Sequence, residues 1–261
     1  MPHAAGAAVI CLLVYDISRR GAKFDDICTW RVFGWGALIG LLILIRNSNI
    51  FVLPFVGALL WRSKLLRPRM AMVLMTGFLA ISLLQPVSLH ALWGTFRITT
   101  YPNEGLTGSW SGIYETLFSH RHGLFVYHPW YAFLLGSTIL GLWKPALRLL
   151  TASTIVSFFL LATINGLWHC WWFGDSFGNR SFIEILPMLS ISAALVTSQP
   201  RATPKRVVAL TSLAFLFGCL NVYLWIGYLL HQYPHDGDHG VCEAYLWPTV
   251  RADATERIPP D

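Results

Sequence analysis

Charge is what this sequence has least of. Asp, Glu, Lys and Arg together make up 12% of its 261 residues, about half the share of a soluble domain. Carboxylates are scarcest, 13 against 19 basic residues. So little charge excludes an ordinary soluble globule, whose polar surface has to be built from such side chains. The net charge of +6 does not point to nucleic acid, because the Lys and Arg fall in short clusters between apolar runs, with no aromatic-interleaved basic face. The five cysteines, Cys11, Cys28, Cys170, Cys219 and Cys242, contain no C-x-x-C pair, so zinc-ribbon and dithiol redox chemistry find no support. Met1-Pro2-His3 is no basic n-region and no small-residue cleavage site follows the first apolar run, so a cleaved signal peptide is not expected. No internal repeat or low-complexity tract is evident.

Apolar residues fill the space that charge leaves. They make up 55% of the chain, and the mean hydropathy is +0.53. Several runs approach the ~20 apolar residues needed to cross a bilayer. The pattern predicts an all-α, polytopic transmembrane bundle of about eight segments, at 2–17, 33–45, 48–61, 70–92, 124–143, 149–168, 181–199 and 207–230. Residues 1–230 form this membrane domain, with outer loops at 93–123 and 165–180, and 231–261 form a polar tail. The second and third segments are short, each about 20 Å at 1.5 Å per residue. They are read as a hairpin turning at Arg46-Asn47-Ser48-Asn49. That arrangement puts the basic residues of 18–31, 62–69, 144–148 and 201–206 on one side, 13 of the 19. A single long helix would leave nine on each side and Arg46 at bilayer depth, which the positive-inside bias and the cost of a mid-membrane charge both disfavour. The expected topology is multi-pass, with both termini non-cytoplasmic. Trp61, Trp93, Trp143 and Trp168 fall near segment ends, as interfacial belts require.

Polar residues of chemical interest then gather on the outer side. Residues 117–129, LFSHRHGLFVYHP, bring His120, Arg121 and His122 to a loop entering a helix, a cationic surface suited to a phosphate group; the plainer reading is a polar collar anchoring the helix end. Residues 168–187 set Trp171 and Trp172 beside Asp175 and Arg180, with Glu184 about one turn into a membrane helix, where an acidic residue needs a partner. Aromatic walls with polar hooks suit a sugar or lipid phosphate; the plainer reading is an aromatic belt with a loop ion pair of small worth. Arg46 with Asn47 and Asn49 reads equally as a lipid-phosphate contact and as ordinary turn chemistry. In the loop 97–115, Glu104 and Glu115 offer carboxylates for a base or a divalent cation, but their spacing specifies neither. In the tail, His231, His235, His239 and Cys242 have spacing that would suit zinc on a helix, yet Pro234, Gly237 and Gly240 oppose a helix, and no metal is assigned. Cys170 and Cys242 share the outer side, which leaves both a disulfide and two thiols open.

Three stretches in order, the Gly36-Ala37-Leu38-Ile39-Gly40 run reaching Arg46-Asn47, LFSHRHGLFVYHP and WWFGDSFGNRSFIEILP, resemble the bacterial GT-C-type membrane glycosyltransferases related to protein mannosyltransferases. The resemblance spans about 33–235 and corresponds to that family's C-terminal two-thirds. It implies a polyprenyl-phosphate-linked sugar donor used on the non-cytoplasmic face of a bacterial inner membrane. It further implies that Arg46, His120, Arg121, His122 and Arg180 bind the donor phosphate. Trp171, Trp172, Asp175 and Glu184 would shape the sugar or acceptor pocket. The family carries its catalytic acid in a first outer loop. Here no acidic outer loop precedes residue 33, and Asp16, Asp25 and Asp26 fall on the cytoplasmic side, so no catalytic residue is assigned. General-base catalysis, worth about 10²–10⁴-fold, would then be missing. The expectation is a GT-C-like transferase lacking the family's N-terminal region. A non-catalytic lipid-linked-sugar binding or scaffolding subunit comes second, and a small-solute transporter last, since transporters favour repeated halves and midplane charge. A cofactor is not identified, and a divalent cation finds no support in the spacing. Cysteines substituted at 121 and 175 should react with an impermeant maleimide applied outside; labelling from the cytosolic side alone would overturn this orientation.

Overall fold

In the computed structural model, residues 2–20, 28–63, 67–96, 105–119, 122–171, 177–198 and 204–230 are described. These residues are mostly helical, with no strand among them. The α-helices are α1 (Pro2–Arg20), α2 (Thr29–Ile45), α3 (Leu53–Arg62), α4 (Pro68–Ser82), α5 (Leu84–Trp93), α6 (Ser111–Phe118), α7 (Leu124–Tyr127), α8 (Trp130–Leu140), α9 (Arg148–Gly166), α10 (Leu186–Thr197) and α11 (Pro204–Leu229). Short 3-10 helices lie at Asn47–Val52, Gly141–Trp143 and Arg180–Ile185. Each of the eight predicted segments is therefore helical. Among the described residues four helices are long and apolar enough to cross a membrane: Pro68–Trp93, Arg148–Gly166, Arg180–Thr197 and Ser212–Leu229. Thr29–Ile45 and Trp130–Trp143 are apolar but shorter.

Proline sets several boundaries. α3, α4 and α10 carry Pro in their first two positions, where the missing N–H would have no helical partner anyway. Pro86 explains why α4 stops at Ser82: its ring cannot donate to the Ser82 carbonyl and crowds it. α5 then ends at Gly94, whose φ of +69° is the left-handed cap that glycine adopts without strain, its N–H bonding the His90 carbonyl.

The predicted break at 46–49 is present. Arg46 is extended (φ −160°, ψ 124°), and Asn49 Nδ2 reaches back to donate to the Leu42 carbonyl, 2.9 Å away, which also accepts the Arg46 N–H at the end of α2. The chain must also reverse, because α2 and α4 run parallel. Gly36 meets Leu74 and Phe78, and Gly40, one turn on, meets Phe78 and Ser82. α3 supplies the return. The α2–α4 crossing is backbone against backbone. A Cβ at Gly40 would lie 2.6 Å from the Phe78 carbonyl oxygen, and Gly36 and Gly77 have even less room. This is the small-residue contact that helices use where lipid gives no hydrophobic drive to associate.

α9 is the central post. It packs on α3, α6, α8 and α10, and its buried Phe158 touches Phe125 and Phe182. α9 and α10 are antiparallel, as Thr154 to Ser192 (2.7 Å) and Asn165 to Ser181 (2.7 Å) show. α1 and α2 are antiparallel too: His3 lies by Arg46, while Asp16 meets Arg31 (3.3 Å) and the Trp35 indole (2.8 Å). The bundle thus has two ends. Arg31, Lys144 and Arg148 mark one, with Lys144 donating to the Val196 carbonyl at the end of α10. Arg46, Arg180 and Glu184 mark the other. Trp30, Trp61 and Trp143, all about 70% exposed, ring the first end, and Trp93 and Trp110 flank the second, as two interfacial belts would. Windows in α4–α5 and α11 are only 6% and 11% buried, against 56% in α9, so these two apolar helices are peripheral.

Replacing Gly36 by Leu should lower the unfolding midpoint in detergent by the equivalent of about 1–3 kcal/mol of overpacking. Gly34, where a Cβ meets nothing within 4 Å, is the control. Equal shifts for the two substitutions would overturn the crossing.

Candidate functional site

The 3-10 helix Arg180–Ile185 organises the second end of the bundle. Its three-residue period makes positions i and i+3 eclipse, so Arg180 and Ile183 share one face, and Ser181 and Glu184 share another. Its start is pinned by a buried polar chain: Asn165 Nδ2 donates to Ser181 Oγ, Ser181 Oγ to Asn179 Oδ1, and Asn179 Nδ2 to the Thr116 carbonyl. Just before it, Gly178 has φ +57° and lies directly against the His128 ring, so neither its backbone nor its surroundings accept a side chain.

The Arg180 face lines a pocket of about 420 Å³ between the start of α8, the 177–186 segment and α11. Trp130, Phe177, Ile183 and Phe217 give it apolar walls, and Arg180, His128 and Asn221 supply polar groups. Asn221 Nδ2 lies 2.6 Å from His128 Nδ1 and 3.1 Å from the Tyr127 carbonyl, joining α11 to the start of α8. Aromatic contacts complete that junction, Phe217 on Trp130 (5.9 Å) and Tyr228 on Phe177 (5.7 Å). His128 sits in the turn ahead of α8, where its ring meets the Asn221 amide and forms part of the pocket wall.

The opposite face carries Glu184, which is fully buried. Nδ1 of His3 lies 3.1 Å from both carboxylate oxygens, and Arg46 Nη1 lies 3.6 Å from Oε2 and 3.4 Å from the same His3 nitrogen. The side chains of His3 and Arg46 are 16% and 21% exposed. A buried carboxylate is tolerated when such partners replace water, and losing one is costly because the remaining charge stays desolvated. Gly6 opens the space: a Cβ there would lie 3.0 Å from the Glu184 Cγ.

The expected site residues therefore divide between two places. Arg180 lines the pocket. Arg46 and Glu184, expected in separate phosphate and sugar subsites, are instead each other's ion-pair partners behind it. His122 is buried and stacked against Tyr127 at 6.3 Å, a packed position rather than an open one. Trp171 is half-buried, beyond the end of α9. His120, Arg121, Trp172 and Asp175 lie outside the described residues, as do Cys242, whose pairing with the half-buried Cys170 the sequence leaves open, and the histidines of the tail. Among the described residues no group of three or more His, Cys, Asp or Glu gathers to hold a metal. Sequence reasoning missed His3, which nothing local marks, and Asn221, which a lone amide inside an apolar run does signal. Comparison with protein-family models, curated proteins and solved structures finds no match.

Glu184→Ala should destabilise the protein by about 3–5 kcal/mol, the cost of breaking a buried pair. Adding Arg46→Met should recover part of that loss; strictly additive effects in thermal unfolding would show that the two are uncoupled.

Proposed function

We propose that this chain is a polytopic membrane protein that binds a polyprenyl-phosphate-linked sugar at the non-cytoplasmic face of a bacterial inner membrane. In this reading the bundle crosses the bilayer about eight times, with its Lys- and Arg-rich end cytoplasmic and both termini outside. The observation that carries it is the Arg180 pocket: apolar and aromatic walls for an isoprenoid, and one guanidinium for a single phosphate charge. The polar hydrogen-bonding groups His128 and Asn221 line the same cavity and suit sugar hydroxyls. α11, peripheral and joined by side chains, forms the wall nearest lipid. The reading is that of a GT-C-like binding subunit, because no Asp or Glu is among the described residues lining the pocket and the buried Glu184 is engaged on its far side.

Sugar transfer is the second reading, and one feature favours it. Asp175 stands five residues before Arg180 in the stretch that resembles GT-C enzymes, a carboxylate of the kind that deprotonates an acceptor hydroxyl.

In nanodiscs at pH 7.5, the full chain should bind undecaprenyl phosphate at least about tenfold more tightly than undecaprenol. Arg180→Ala should remove that preference, since a hydrogen bond to a charged group is worth about 1.5–3 kcal/mol. Equal affinity for the alcohol and the phosphate, or a preference indifferent to Arg180→Ala, overturns the reading.

A further inference from the structure

We propose that α6 is a re-entrant helix: it enters the leaflet at the Arg180 end of the bundle beside α9, without crossing, and seats its Trp110, Tyr114 and Phe118 face in lipid. The inference rests on the bundle being embedded in a bilayer and is independent of what the Arg180 pocket binds.

The direction of α6 is fixed at both of its ends. Its approach is pinned to the end of α9: the Gly108 N–H donates to the Leu167 carbonyl (2.8 Å) and the His169 N–H to the Gly105 carbonyl (3.2 Å). Gly112 and Gly166 then meet backbone to backbone, with no room for a Cβ on either. At the far end of α6 the Phe118 ring meets Phe125 (5.2 Å), which stacks on Phe158 (6.0 Å). Phe158 stands eight residues before Gly166 on α9, about 12 Å further in at 1.5 Å per residue. So α6 runs inward along α9, a helix long and apolar enough to cross a membrane. The chain turns back where the Gly123 N–H donates to the Ser119 carbonyl (2.9 Å). α7 then returns it to the outer end of α9, because Tyr127 and His128 lie against Gly178, beside the Asn179–Ser181–Asn165 chain.

The exposed face of this helix matches the medium that such a descent would meet. Trp110, Tyr114 and Phe118 are spaced four residues apart, so they share one face, and they are 75%, 67% and 45% exposed. Gly112, Thr116 and Leu117 are the buried residues of the helix. A file of exposed rings is a contact surface rather than a solvated one. Its order follows the bilayer: an indole and a phenol, each with a polar tip, come before a plain phenyl ring deeper in. Phe159 and Leu160 of α9, also exposed, continue the apolar surface at that depth. Glu115 is half-buried beside the stripe. Helical side chains tilt toward the N-terminus, here the outer end, which draws its carboxylate toward the headgroups. Non-helical backbone is tolerated at membrane depth only when protein covers it, and His122, Gly123 and Leu124 in the return turn are all buried.

The test places an environment-sensitive fluorophore on single cysteines in the full chain, its native cysteines replaced by alanine, in phosphatidylcholine liposomes. The sites are Ser109→Cys, Tyr114→Cys and Phe118→Cys along α6, with Phe159→Cys as the reference on α9. Quenching by nitroxide-bearing acyl chains should rise from 109 to 114 to 118, and 118 should come within about twofold of 159, both lying inside the hydrocarbon. Quenching by aqueous iodide should fall in the same order. A second measurement leaves the protein unaltered: photolysis of the wild-type chain with a diazirine phospholipid should put adducts on Trp110, Tyr114 and Phe118. A label at 118 that iodide reaches and nitroxide lipids do not would place the aromatic face in water, as a platform for a polar partner such as a glycan, and overturns the proposal. Shielding from both quenchers, with no wild-type adducts, would mean that protein covers the stripe, and overturns it too. Failure of lipid quenching at 159 as well overturns the membrane setting and this inference together, whereas loss of lipid quenching at 118 alone leaves the Arg180 pocket untouched.

Discussion

A carboxylate without water must be answered by charge from elsewhere in the fold, and Glu184 sets that condition for one end of this bundle. The answer comes from two remote places, His3 at the start of α1 and Arg46 at the end of α2. Satisfying Glu184 therefore brings the first and second helices against the start of α10. Desolvating an ion costs several kcal/mol even after relaxation, so an arrangement that separated these elements would leave a charge in a medium that cannot solvate it. The cluster acts less as a source of net stability than as a rule about which packing is allowed.

The same constraint orients the pocket. Because Glu184 is committed to one side of a helix that repeats every three residues, Arg180 and Ile183 are committed to the other. The polar chain through Asn165, Ser181 and Asn179 holds the start of that turn, and Gly178 brings it into contact with His128. Across the cavity α11 is placed by one amide and a few aromatic rings.

Much of the helical framework was legible because its signals are local. The eight apolar segments, the proline starts, and the break at Arg46 followed by Asn49 all depend on neighbours within a few positions. The candidate site was less legible, because the contacts that define it are not local. Arg46 reads in the sequence as a lipid-phosphate contact or a turn residue, yet its counterion lies 138 positions away, and His3 meets Glu184 across a separation of 181. His122 belongs to a motif rich in cations but is spent on packing against Tyr127. Glu184 was singled out correctly as an acid needing a partner; hydropathy names the need and not the partner. Length was legible for the second segment, read as short at 33–45 and found as the 17-residue α2, and less so for 124–143, which the turn at Pro129 divides.

The glycine crossing of α2 and α4 has a mechanical consequence. Where carbonyls and Cα atoms meet with no side chain between them, no rotamer can absorb a displacement, so the two helices slide or tilt as one body. α4 packs chiefly on α2 and leaves its other face outward, so in a bilayer a change of thickness would act on it first. The strain would travel down α2 and arrive at Arg46, where the helix ends. The least buried of the long apolar helices is in this way coupled to the ion pair of Arg46 and the buried Glu184.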